Sequence, residues 1–518
     1  MSEDVSINRR HAMAGLGLLS AAAALPSLAK AQGPAPKRGG AMRIAIADFA
    51  TSDSLDPTLA ETQFSQNLQW QLRNNLVEVG PGGKLIPELA ESWEGSNEAR
   101  TWVFKLRRGV TFHDGKPFTA SDVVHSFNIH RKEGSKSQTK PILNQITSIK
   151  AEGPHTAIFE LVDGNVGFPA LTSAVGLYIL KEGDTDFNKG MGTGGYILEQ
   201  FQPGIKAVVR RNPGYWKSGH ANFDSVELIC MKDATARANA LITGQIDAYN
   251  AVDTRTVNLL QRSSAIRINR VKSKAHFSFP MMIDQGPFAS NDVRLAMKFA
   301  IDRDDIVKRV LGGFGAPGND HPLSSAYAFY DGTIPQRSYD PDKARFHLDK
   351  AGAANLRVQL HVSETPFTGA TDAAVLFKGH AAKAGITIDV VKEPEDGYWS
   401  SVWNKRPLCT SRWSGRINED VLFTLGYTAD GTKAGWNETR LNDERLNKLV
   451  AEARKEFDEG KRRQLYGEVQ RIVHGQGGSN IFAFADFLDA VSSKVTHGEL
   501  SGDWMLDGCR ASERWWFS

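Results

Sequence analysis

Leu85-Ile86-Pro87-Glu88-Leu89-Ala90-Glu91-Ser92-Trp93-Glu94, continued by Thr101-Trp102-Val103-Phe104-Lys105-Leu106-Arg107-Arg108-Gly109-Val110-Thr111-Phe112-His113-Asp114-Gly115-Lys116-Pro117-Phe118-Thr119-Ala120-Ser121-Asp122-Val123-Val124, is the stretch on which the fold is read. Trp102, Phe104 and Leu106 fall at every second position and so share one face of a strand. Val110 to Phe112, after Arg108-Gly109, is the expected hairpin partner of that strand, and Asp114-Gly115 turns the chain. Thr119 with Asp122 three residues on resembles a capping box, opening a helix in which Val123, Val124 and Phe127 lie on one stripe.

The same vocabulary extends outward in both directions. Ala41 to Ala47 alternates like a strand, and Asp53-Ser54-Leu55-Asp56-Pro57 is a loop. Asn291-Asp292 is a second helix start, leading into Leu295, Phe299 and Ala300. Leu446, Leu449, Val450, Ala453 and Phe457 keep helical spacing, as do Leu465, Val469, Ile472 and Val473 after Glu459-Gly460. Strands and helices interleave throughout, which predicts an α/β architecture with more than one sheet.

The amino-terminal end sets the expected compartment. Arg9-Arg10 precedes a run from Ala12 to Leu28 without a charged residue, closing on Ala29-Lys30-Ala31. This reads as an export signal over residues 1–31, cut before Gln32, and the paired arginines point to the twin-arginine route. The run is too short and too rich in Ala and Gly for a permanent span. No cysteine follows the cleavage point, so a lipid anchor there is not expected. The linker 32–40 is rich in Gly and Pro. A formal net charge of +3 gives no reason to expect a nucleic-acid partner. Three cysteines, Cys230, Cys409 and Cys509, allow one disulfide at most.

The quoted stretch resembles the signature of the bacterial extracellular solute-binding proteins of family 5, which serve peptide, opine and nickel importers. Further blocks agree in order: Gly192-Thr193-Gly194-Gly195-Tyr196, Arg211-Asn212-Pro213-Gly214-Tyr215-Trp216, Gly244-Gln245-Ile246-Asp247, and Asp292 to Arg303. The resemblance implies a two-lobed periplasmic-binding-protein clamp of type II, with an extra domain inserted in the N-terminal lobe. It assigns 41–84, 196–287 and 490–518 to the core of that lobe, 85–195 to the insertion and 288–489 to the second lobe. It places two crossing strands of a hinge near 282–288 and 484–490. It also implies a small-molecule ligand, ABC permease subunits as partners, a monomer in the periplasm, and no cofactor.

Ten residues are the expected ligand contacts: Tyr398, Trp399, Trp403, Trp413, Arg416, Asn418, Glu419, Asp420, Trp436 and His276. Tryptophan offers rigid area with one donor, suited to a cleft wall that is half wet, although several of these rings are expected in the core. Arg416 is weighed most heavily. In peptide-binding members a Trp, one residue, and Gly or Ala precede an aspartate that pairs with the ligand's free amine. Here the run is Trp413-Ser414-Gly415-Arg416, and an arginine would repel an ammonium and hold a carboxylate by two parallel bonds. Glu419 and Asp420, three and four residues on, could instead neutralise Arg416 or receive an amine.

Enzyme signatures are absent: no His-Glu-x-x-His, no Gly-x-Ser-x-Gly, no Cys-x-x-Cys. The patterns at Gly190-x-Gly192-x-x-Gly195 and Gly313-x-Gly315-x-x-Gly318 read as turns, and His113 as a turn residue. His276 and His321 are cleft candidates with a nickel role open, yet no cluster has metal spacing. The expected function is capture of a carboxylate-bearing solute such as an opine, a blocked or modified peptide, or an organic acid. The alternatives are ordinary di- or oligopeptide binding, nickel-chelate binding, a periplasmic sensor, or a secreted hydrolase.

Overall fold

Ala41–Ile46 shows why the first strand sits where it does: Met42, Ile44 and Ile46 point into one apolar core and Ala45 into another. A strand apolar on both faces must be covered on both, the requirement of a sheet with a parallel centre. The computed structural model describes residues 36–518 apart from residue 61. The export signal expected over 1–31 and the start of the linker therefore lie outside the described residues. Among the described residues no helix is long and apolar enough to cross a membrane.

Nine strands form one sheet: β1 (Ala41–Ile46), β2 (Tyr196–Gln202), β3 (Lys206–Arg211), β4 (Ser225–Cys230), β5 (Ala248–Tyr249), β6 (Ile266–Ser278), β7 (Gly315–Pro317), β8 (Ser411–Trp413) and β9 (Ile481–Ser492). Their order is β8-β6-β9-β5-β1-β4-β3-β2, with β7 pairing on β9 outside that path. β1 is parallel to β4 and β5, and the other pairings are antiparallel. Gly315, from the second glycine pattern, lies in β7 against β9: an added Cβ would stand 2.5 Å from the Phe484 carbonyl oxygen.

The stretch that opened the sequence analysis builds a four-stranded antiparallel sheet in the order 90–96, 101–106, 156–161, 146–151. Trp102, Phe104 and Leu106 are buried together, as their spacing predicts. The hairpin partner differs from expectation. Strand 101–106 is flanked by 90–96 and 156–161, and the ladders run on through Leu106 N–H to His155 O and Arg107 N–H to Leu89 O. With both edges occupied, Val110–Phe112 folds instead onto 116–118 around the Asp114-Gly115 turn. Thr119 and Asp122 form the capping box of helix Ala120–Arg131. Helix Asn291–Phe299 is capped by Ser290, and its buried face is Val293, Ala296 and Met297, with Leu295 and Phe299 half-buried. Leu446, Leu449, Val450 and Ala453 are buried along Glu444–Lys455, whereas Phe457 lies past that helix and is exposed.

Two strands connect the lobes. Ile266 on β6 and Leu488 and Ala490 on β9 pack in one core, while Phe277 on β6 and Phe482 and Ala483 on β9 pack in another. Their ladder breaks between the pairs Lys272–Asp486 and His276–Phe484, so residues 273–275 bulge from β6. Of the two crossing strands that the resemblance implies, 484–490 lies within β9, whereas 282–288 lies past the end of β6 and runs into a 3-10 turn at Gly286–Ala289. Ser273 holds the bulge, its hydroxyl donating to Ala485 O at 2.7 Å while Ala275 N–H donates back at 3.0 Å.

The carboxyl-terminal tail crosses the same region in a strained turn. Leu506, Asp507 and Cys509 have φ of 54°, 60° and 61°, and Gly508 has 69°. Left-handed residues other than glycine cost about 1–2 kcal/mol each. Two carboxylates hold them. Asp489 on β9 accepts from Leu506 N–H at 2.7 Å, and Asp507 accepts from Ser501 N–H at 2.8 Å, Arg514 at 2.8 Å and Trp515 Nε1 at 3.1 Å. Beyond the turn lies a buried network of three acids and three cations. Lys217 bridges Glu78 at 2.7 Å, Glu513 at 2.8 Å and Glu88 at 3.3 Å. Arg510 joins Glu88 at 2.8 Å and Glu513 at 2.9 Å, and Arg514 pairs with Glu78. Burial alone would raise the Glu78 carboxyl, but Arg510, Lys217 and Arg514 hold it well below the usual range.

Lys217→Met leaves three buried carboxylates facing two guanidinium groups. It should destabilise the chain by about 3–5 kcal/mol; an unchanged melting temperature would show that the network carries no such weight. Burial, joined by Asp507, lifts Asp489 to about 7 despite the Leu506 bond. The unfolded chain then releases this proton first, so stability falls as pH rises from about 4 to about 7. Asp489→Asn keeps an acceptor for Leu506 and should melt higher than the parent at about pH 8 and alike near pH 4; the same difference at both would contradict it.

Candidate functional site

Strand β8 places the central segment of the site. Its Ser411–Trp413 run pairs with Ser278–His276 of β6, and alternation buries Ser411 and Trp413 while turning Arg412 outward. The chain then passes close to the hinge bulge. A Cβ on Gly415 would stand 2.5 Å from Lys274 Cβ, so only glycine lets the loop lie against β6 here. Lys274 in turn bridges Asp503 at 2.5 Å and lies 5.0 Å from the centre of the Tyr327 ring. Tyr327 fixes the next residue, its hydroxyl accepting from Arg416 N–H at 2.9 Å.

These elements line a cleft of about 1530 Å³ between the lobes. Asp48, Asn250 and Asp253 stand on the first-lobe side, Glu364, Arg412 and Arg416 on the second, with Lys274 and Asp486 at the strands between them. A volume of that size admits a solute larger than a single amino acid.

Arg416 stands apart from the other charges. Its guanidinium lies 4.9 Å from the Trp413 ring centre and 5.5 Å from that of Trp436, and Nη1 donates to Ser414 O at 3.1 Å. The two acids that could neutralise it are committed elsewhere. Glu419 accepts from Phe329 N–H at 2.9 Å, and Asp420 pairs with Arg454 at 2.9 Å. Among the described residues Arg416 has no ion pair. Burial, opposed by Tyr327, lowers its pKa from the ordinary value, and a guanidinium so placed remains charged.

Arg412 likewise has no hydrogen-bond or ion-pair partner among the described residues. Its side chain is open to water yet sits in a concave wall with protein on most sides, so burial lowers its pKa while Asp48 acts in the opposite sense.

Of the ten expected contacts, Arg416 is the one found in the cleft wall. Asn418 caps helix Glu419–Tyr427 through Val421 N–H at 3.0 Å, and Glu419 and Asp420 are buried behind it. The aromatic residues form a chain alongside the wall, with Tyr398 and Trp413 buried and Trp399 and Trp436 exposed. Tyr398 is buried with its hydroxyl on Thr410. Trp399 meets Trp403 at 5.8 Å, Trp403 meets Trp436 at 5.8 Å, and Trp436 meets Trp413 at 6.0 Å, all edge to face. Trp403 Nε1 and Ser411 Oγ both donate to buried Glu438 at 2.6 Å, and burial raises that carboxyl above its usual range. His276 stacks on Trp413 with the rings 6° apart, pushed down to about 3 by burial and the positive Arg416. The rings thus support the arginine, which the physical need for rigid area at the cleft did not reveal. Asp48 escaped sequence reading, whereas Arg412 belongs to the aromatic-rich stretch around Arg416, and the period of two on 411–413 turns it away from the buried Trp413.

The metal reading gains no donor set around His276 and His321. Among the described residues the three-donor group is Glu78, Glu88 and Glu513, which already face Lys217, Arg510 and Arg514. His321 is buried, which moves it down to about 4. Cys230, Cys409 and Cys509 are free thiols.

Residues 84–435 match the family model of bacterial extracellular solute-binding proteins, family 5, middle region. The di/tripeptide-binding protein 1 of Pseudomonas aeruginosa (strain UCBPP-PA14) is 28% identical over 469 residues, covering 83% of this chain and 84% of that protein. The periplasmic binding protein DppA from Helicobacter pylori, solved with the peptide STSA, superposes with a TM-score of 0.75 at 22% identity, covering 93% and 99% of the two chains. HbpA2 from Haemophilus parasuis gives 0.83 at 20% identity, covering 92% and 100%. These solved structures share the two-lobed fold.

Gly415→Ala should force the Arg416 loop off β6. The expected loss is about 1–3 kcal/mol of stability, read by thermal melting; a variant as stable as the parent would mean the loop yields without strain.

Proposed function

Because this chain belongs to the bacterial extracellular solute-binding proteins of family 5, we propose that it captures a small carboxylate-bearing organic solute in the interlobe cleft and passes it to an ABC permease unchanged. An opine, a blocked or modified peptide, or another organic acid fits this description. Residues 1–31 would direct export, with cleavage before Gln32, and the mature chain would act in the periplasm as a monomer.

The observation that carries the reading is the uncompensated guanidinium of Arg416 in the cleft wall, with Glu419 and Asp420 engaged elsewhere. A carboxylate arriving there gains a charge-assisted bond worth about 1.5–3 kcal/mol, against roughly 8 kcal/mol for a micromolar complex. One such contact is enough to choose between ligand classes. Trp413 and Trp436 lie against the guanidinium and limit its freedom before binding, so less is lost when a solute arrives. A clamp of this kind shuts only on a solute that touches both lobes in the closed form, because only differential affinity shifts the equilibrium.

Ordinary di- or tripeptide binding is the second reading, favoured by the relative named for such ligands. Glu419 and Asp420 are not free to take the amine in that case. Asp48 on the first-lobe wall and Asp372 on the second, both exposed and both lining the cleft, are the acids available.

The mature chain should be melted against free dipeptides, N-acetylated dipeptides, opines, dicarboxylic acids and a nickel–histidine complex. A hit at a hundredfold its Kd stabilises by about 2.7 kcal/mol. Arg416→Ala should then weaken the hit by about 2–5 kcal/mol. Unchanged affinity would remove Arg416 from the site, and a free-amine dipeptide as the best hit would overturn the carboxylate reading.

A further inference from the structure

We propose that Arg412 and Asp48 form an ion pair across the cleft when the lobes shut, a clasp that favours the closed form without touching the solute. The inference rests on the clamp reading and on the carboxylate-bearing solute proposed above, since a peptide amine held on Asp48 would occupy the same carboxylate; the test below uses the unliganded chain, so its failure leaves the solute reading standing.

The two residues belong to different cores. Asp48 follows β1, whose Met42, Ile44 and Ile46 pack in the first lobe, and Arg412 precedes Trp413, which packs with Tyr327, Leu422 and Phe423 in the second. Both are exposed and both line the cleft. They lie farther apart than an ion pair, and Asp48 is the charged group that acts on Arg412 through the cleft. Asp48 is held in place at its root, with Oδ2 accepting from Gln63 N–H at 3.0 Å, while its other oxygen has no partner among the described residues.

Elimination around the walls isolates this pair. On the first-lobe wall, Asp253 is neutralised by Arg255 at 2.6 Å and Glu78 by the buried network. Asp48 is the carboxylate left without a cation. On the second-lobe wall, Arg309 pairs with Asp305 at 2.8 Å and Arg416 lies against the rings of Trp413 and Trp436. Arg412 is the cation left without an acid or a ring. At the strands between, Lys274 holds Asp503 and Asp486 holds Arg270, both at 2.5 Å. An ion pair made in one form of the protein and absent in the other shifts the balance between them, and apparent affinity follows the closed fraction.

The test needs no solute. Spin labels at Ile242→Cys and Val375→Cys, exposed positions on helices that pack on the two different cores, report the lobe separation by pulsed dipolar spectroscopy in a Cys230→Ser background. At low ionic strength the unliganded chain should show a shorter, closed separation. Arg412→Glu should reduce its population about fivefold, and so should Asp48→Asn, which keeps an acceptor for Gln63. The Asp48→Arg/Arg412→Glu exchange should restore it, and about 0.5 M salt should remove it from the parent. Four identical distributions, including four that show only the open separation, would overturn the clasp. So would single variants whose loss the exchange fails to repair. Neither result bears on Arg416, whose role is read from solute binding.

Discussion

The pairing of β6 with β9 is the interaction on which the rest of the molecule depends. Each strand gives one end to one core and the other end to a second core, so the backbone ladder that closes the sheet also joins the lobes. A continuous ladder would make that junction stiff. The three-residue bulge at Ser273–Ala275 interrupts it, with a second, smaller register shift between Phe277 and Ser278, and the hydroxyl of Ser273 satisfies the backbone group the bulge would otherwise leave open. The bulge also turns Lys274 toward Asp503 and brings the Gly415 loop against β6. The path of the Arg416 loop thus follows the local shape of β6 at that bulge.

Charge is handled in two opposite ways on either side of that junction. In the first lobe, Glu78, Glu88 and Glu513 face Lys217, Arg510 and Arg514 in a buried set whose charges balance, and each carboxylate meets more than one donor. Such a set ties the tail of the chain to its beginning, and removing any one member would strand the others in a medium of low dielectric. In the second lobe, Arg416 is left without a counter-charge and is kept in place by ring faces and a backbone carbonyl. A guanidinium tolerates this because it is weakly hydrated and its plane matches an indole. The first arrangement holds the fold, and the second leaves an attraction to be satisfied from outside.

Much of this was legible in the sequence. The every-second-residue pattern of Trp102, Phe104 and Leu106 and the capping pair Thr119–Asp122 are local features, and both appear as read. The hairpin from 101–106 to 110–112 was misread because a strand's partner is a non-local choice. Residues 156–161, fifty positions on, take the edge that a tight turn would have offered to its neighbour. The tryptophans were legible as a group in one stretch and not as a support: spacing brings only Trp399 and Trp403 together, and the meeting of Trp436 with Trp403 and Trp413 depends on the tertiary fold.

The sequence by itself determined the α/β architecture, the family, and the reversal of charge at position 416. Each is carried by residues close together in the chain, where periodicity and side-chain chemistry act directly. Only the tertiary structure decided that Asp420 belongs to Arg454, that Glu419 belongs to Phe329, and that Arg412 and Asp48 line one cleft. An ion's partner is set by distance in three dimensions and by what water it loses, and neither quantity is written in the order of residues.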